Sequence, residues 1–127
     1  MTNDYMRSVM KKKLRRFIDY TKLMLAARNP STLYDAHEIS EITIRKLKFE
    51  LELNSILLEE AKNNGEKEKL DEERKELRDT LALELADGVE ILSTIAANLR
   101  LDGREELARQ FEILRDIRES ELNDLNG

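Results

Sequence analysis

Apolar residues recur along this chain in steps of three, four and seven, the spacing of amphipathic helices. Near the N-terminus Met6, Met10, Leu14, Phe17, Thr21 and Met24 share one face, with Val9 and Leu25 at its edges. A later stretch sets Leu70, Leu77, Leu81, Leu85, Leu92, Ile95 and Leu99 on one stripe. The last sets Leu107, Phe111, Leu114 and Ile117 on another. Residues 47–53 read Leu-Lys-Phe-Glu-Leu-Glu-Leu, an alternation that would suit a strand. Helix is nevertheless expected there, because no turn signal lies between Ser31 and Asn63 and a lone strand would have no partner. At about 100° per residue this second helix carries two apolar stripes. One holds Ile39, Ile42, Phe49, Leu53 and Ile56; the opposite one holds Ile44, Leu47, Leu51 and Leu58. Such a helix must be covered on two sides, within the bundle or at a subunit interface.

Breakers fall in three places. Pro30 disfavours helical backbone at Asn29, which ends the first helix, and Ser31 or Thr32 can cap the next. Asn63-Asn64-Gly65 has the form of a left-handed helix stop. Asp102 can cap a fourth helix, with Glu105 three residues on as its capping-box partner. The expected helices span roughly 4–28, 32–63, 66–101 and 103–124 within a single helical domain, residues 1–127. Gly88 interrupts the third helix, which suggests close approach of the second. The fold class is all-α, a long antiparallel helical hairpin flanked by two shorter helices, four-helix-bundle-like. The long helices would reach about 45–55 Å, further than the short ones can cover. A homodimer is therefore expected, with Ile44, Leu47, Leu51 and Leu58 at the oligomer interface. An elongated monomer with a polar hairpin tip is the alternative.

Composition removes several chemistries. The 127 residues contain no Cys and one His, which excludes a disulfide scaffold, a thiol nucleophile and a His-rich metal site within one chain. No run approaches the ~18 apolar residues that span a bilayer. The basic cluster at residues 11–16 interrupts any secretory apolar region, so a cytoplasmic location is expected. Isolated glycines give no phosphate-cradling loop, and no serine has a nucleophile-elbow context.

Charge is unevenly distributed. Residues 1–30 carry eight basic and two acidic side chains, whereas the whole chain has a net charge of −5. Arg7, Lys11, Lys12, Arg15, Arg16 and Lys22 are the candidate binding residues, on or beside the face opposite the Met-rich stripe. They can neutralise the acidic remainder of the same bundle or of a dimer partner. They can bind nucleic-acid phosphates. Or, with Met, Leu and Phe beside them, they can engage a partner groove or an anionic membrane surface.

Two further patterns touch enzyme chemistry. His37-Glu38 is similar, over two or three residues, to the phosphoacceptor segment of sensor histidine kinases. The basic and Gly positions of a phosphotransfer domain are missing here. Glu73-x-x-Glu76 followed by Glu84-x-x-Asp87 is similar to the acid pairs of the all-α nucleotide pyrophosphohydrolases. There the pairs lie on two packed helices; here both fall on one, where they cannot face each other across a site. The expectation is a small non-enzymatic interaction protein without cofactor, catalytic residue or metal ligand: an adaptor, assembly subunit or inhibitor binding another protein through helix faces. The alternatives are a nucleic-acid-associated protein or ribonucleoprotein subunit using the first helix, third, a metal-dependent hydrolase and, fourth, a phosphotransfer bundle.

Overall fold

The computed structural model describes residues 2–127 and is all-helical. Four helices follow one another: α1 (Thr2–Ala26), α2 (Leu33–Glu60), α3 (Asn64–Leu101) and α4 (Glu105–Asn126). They run up, down, up and down. Arg7 meets Glu59 at 3.2 Å, Phe17 lies 5.2 Å from Phe49, and Arg28 meets Glu38 at 3.0 Å, so α1 is antiparallel to α2. Asn54 opposite Leu70 and Gly88 opposite Ser40 fix the α2–α3 hairpin.

Two helix boundaries exchange the roles that their dipeptides suggest. Asn63 does not stop α2; it starts α3, its side chain accepting the Glu66 N–H at 2.9 Å. Gly65 therefore sits in the first turn of α3 with ordinary helical backbone. Asp102 does not cap α4; it ends α3. Gly103, at φ +78°, then bends the chain out of the helix, its N–H bonding the Arg100 carbonyl while the Arg104 N–H bonds that of Leu99. This pair of bonds is a Schellman motif, which satisfies carbonyls that the helix end would orphan. At the start of α2, Thr32 caps as expected by accepting the Asp35 N–H at 3.1 Å.

Both apolar stripes of α2 are covered within the chain. Ile44 and Leu47 are buried against Leu81 and Leu85 of α3, and Leu51 packs onto them. Leu58 is half-buried. The stripe expected at an oligomer interface thus forms the intrachain core, leaving Ile44 and Leu47 no surface to offer a second copy. Ile42 is buried on the other side, where Phe49 stacks on Phe17 of α1. A second core joins Ile95 and Leu99 to Ala108 of α4. α4 packs on α3 and also reaches α2, through Tyr34 and His37 against Phe111 and through Glu41 bonded to Arg118. Leu114 and Ile117 remain exposed, so the inner face of α4 is Leu107, Ala108, Phe111, Leu122 and Leu125 instead.

Gly88 is buried where α3 crosses α2, and a Cβ added there would lie 3.2 Å from Ser40 Oγ. Ser40 is itself buried, its hydroxyl without a hydrogen-bond partner. Gly88→Ala is expected to gain about 1 kcal/mol of helix propensity in a Ser40→Ala background. With Ser40 present the gain should be smaller, because the crowded hydroxyl must move. Urea denaturation of the four combinations measures the coupling; strict additivity would show that Ser40 yields at no cost.

Candidate interaction surface

Among the described residues, α1 packs against α2 alone. A helix with one neighbour buries a narrow strip, here Leu14, Ile18 and Thr21. The inward strip is thus centred closer to Ile18 than the Met-rich stripe suggests. Met6, Met10 and Phe17 remain 56%, 41% and 44% exposed. Tyr5, Tyr20 and Leu23 point outward and are exposed as well.

The six candidate cations divide among three settings. Arg7 and Lys11 reach the C-terminal end of α2, where Lys11 Nζ lies 2.7 Å from Glu60 and Arg7 bonds Glu59. For these two the structure realises the intrachain neutralisation. Arg15 and Lys22 line a cleft between α1 and α2 with Glu73 of α3 at its edge. Lys12 and Arg16 face outward and are exposed, with Lys13 beside them. Among the described residues, Lys12, Lys13, Arg15, Arg16 and Lys22 make no ion pair. Glu59 and Glu60 are the residues that composition alone did not single out. The antiparallel course of α1 was the signal needed to find them.

The cleft has a volume of about 290 Å³ and mixes charges: Arg15, Asp19 and Lys22 from α1, Glu50 and Asn54 from α2, and Glu73. Its most promising acceptor is closed off. Asn54 donates through Nδ2 to the Leu70 carbonyl at 2.9 Å, while its Oδ1 is buried and unbonded. The amide ties α2 to α3 and offers no open ligand contact.

The enzyme-like patterns are not assembled into a site. Among the described residues, no three His, Asp or Glu side chains gather where they could hold one metal ion. His37 is half-buried against Phe111, ring centroids 5.8 Å apart, beside Tyr34. The proton affinity of Glu84 is raised, first by burial and then by Asp87. Among the described residues, no helix is long and apolar enough to cross a membrane.

The chain matches no protein-family model, no curated protein and no solved structure.

Proposed function

We propose that this is a small non-enzymatic docking module that binds an acidic protein surface through the outer face of α1. Such a module serves as an adaptor, assembly subunit or inhibitor. One observation carries the reading: a helix held by a single neighbour keeps exposed Tyr5, Met6, Met10, Tyr20 and Leu23 next to unpaired Lys12, Lys13 and Arg16. Exposed apolar groups rimmed by charge are the usual marks of a protein contact. Aromatic and Met side chains supply contact area, and the cations steer an acidic partner into place. A second reading, nucleic-acid binding, draws support from the interleaving of Tyr5 and Tyr20 with Lys12 and Arg16, since aromatic rings stack bases while cations follow phosphates.

The test compares the wild type with a Lys12→Glu/Lys13→Glu/Arg16→Glu variant, both shown to be folded by circular dichroism. The probes are a designed helical peptide with Glu and Leu on one face and a mixed RNA/DNA oligonucleotide. The expected result is salt-sensitive peptide binding, weakened about tenfold or more in the variant, a difference of about 1.4 kcal/mol. Equal retention of the peptide by both proteins, or by neither, defeats the reading. Retention of the oligonucleotide without the peptide replaces it with the nucleic-acid one.

A further inference from the structure

The outer face of α1 carries Tyr5, Val9, Lys12, Arg16, Tyr20 and Leu23, in steps of four, three, four, four and three. The outer face of α3 carries Glu72, Glu76, Asp79, Leu83, Asp87 and Glu90, in the same steps. Each stripe covers about 27 Å at ~1.5 Å per residue. The first is basic and aromatic. The second is acidic around a single Leu83 that is 69% exposed, with Lys75 at its edge. Among the described residues, none of the five acids is in an ion pair, and neither is Lys12 or Arg16. The two stripes therefore match in length, spacing and opposite charge, and each is uncommitted within its own chain.

Their placement decides what kind of assembly they can make. Phe49 of α2 touches α1, while Leu47 packs on α3. Residues two apart lie roughly 160° apart around a helix, so α1 and α3 flank α2 on nearly opposite sides. The basic stripe and the acidic stripe face away from each other at the two ends of the molecule. A contact between two different patches is heterologous, and it repeats until it closes a ring or runs on as a filament.

We infer that the acidic surface bound by α1 is the outer face of α3 on a second copy of this chain, and that copies associate head to tail. The inference rests on the docking role of α1 proposed above and names its partner. It departs from a closed homodimer, because the same pair of stripes cannot meet twice across one two-fold axis when they point in opposite directions. Charge contributes most at low ionic strength, so the association is salt-sensitive.

Sedimentation velocity on the full chain tests it, over a wide concentration range at low and high salt. The weight-average mass is expected to climb past two chains as concentration rises at low salt, and to return to one chain at high salt. Lys12→Glu/Arg16→Glu should abolish the climb, and so, separately, should Asp79→Lys/Asp87→Lys. Mixing the two variants should restore it, since each then supplies the charge the other lacks; circular dichroism confirms that both are folded. Restoration is the outcome that a loss of folding cannot imitate. A mass that levels off at two chains, or mixed variants that stay apart, overturns the inference. A wild type that stays monomeric yet binds the acidic peptide through α1 overturns self-association alone. A monomer that binds neither overturns the docking reading with it.

Discussion

A glutamate at position 47 is expected to unfold the chain and not to separate two copies of it. Leu47 is 4% exposed and sits between Leu81, Leu85 and Ile44. Removing its side chain costs about 2–5 kcal/mol through lost burial and the cavity left behind. A carboxylate in the same place adds the cost of an unpaired buried charge, about 3–5 kcal/mol. The sum is comparable to the whole stability of a domain this size, about 5–15 kcal/mol. Circular dichroism should show lost helix for Leu47→Glu at room temperature and a cooperative but lowered melting transition for Leu47→Ala. A Leu47→Glu protein that melts like the wild type with a reduced mass would restore the residue to a subunit interface.

The second large effect is expected at Arg118. Its guanidinium joins α4 to α2, with Nε 3.0 Å from Glu41 and a further bond to Glu121. Lys48 also pairs with Glu121. The Arg118 side chain is 14% exposed and the two acids about twice that. Arg118→Ala removes the partner of Glu41 and leaves Glu121 to Lys48 alone. A fully buried pair would lose about 3–5 kcal/mol; partial exposure lets water compensate, and about 2 kcal/mol is expected. The pH dependence should change as well. Burial alone would raise the proton affinity of Glu121, but Lys48 and Arg118 outweigh it and hold its pKa below the usual value. A lowered folded pKa stabilises the protein above the ordinary carboxylate range and loses that contribution as pH falls through the folded value. Urea midpoints across this acid window should fall less steeply in Arg118→Ala than in the wild type. Parallel slopes would show that Arg118 does not act on the Glu121 carboxyl.

Much of this architecture was legible from spacing. The stripe from Leu70 to Leu99 is buried or half-buried throughout, because period 3.6 identifies the buried face of a helix with two neighbours. The double stripe of α2 correctly marked it as central. Spacing could not say whether that cover came from the same chain, since Ile44 and Leu47 look identical in the sequence whichever surface they meet. The faces of α1 and α4 were less legible for the complementary reason. Met6, Phe17 and Ile117 repeat at helical intervals, yet too few neighbours reach them to bury them. Turn chemistry misled where one dipeptide serves two purposes. Asn and Asp both cap helix starts and both tolerate helix ends, so Asn63 and Asp102 were separable only by where the neighbouring N–H groups point. The basic helix was plain in the sequence as a charge excess. Its division into paired Arg7 and Lys11 and unpaired Lys12 and Arg16 depends on how far α1 runs along α2, which no local pattern encodes.

Among the described residues, the helices whose backbones pack closely are neighbours in the chain: α1 with α2, α2 with α3, α3 with α4. Contacts of short sequence separation favour rapid folding, since little loop entropy is lost before they form. The bundle can consequently be built in the order in which a ribosome delivers it. Each new helix finds its main partner already made, and the links from α2 to α4, such as Glu41 to Arg118, are the ones that wait for a distant segment. Among the described residues, α1 contacts no helix but α2 and keeps its outer face free of the others.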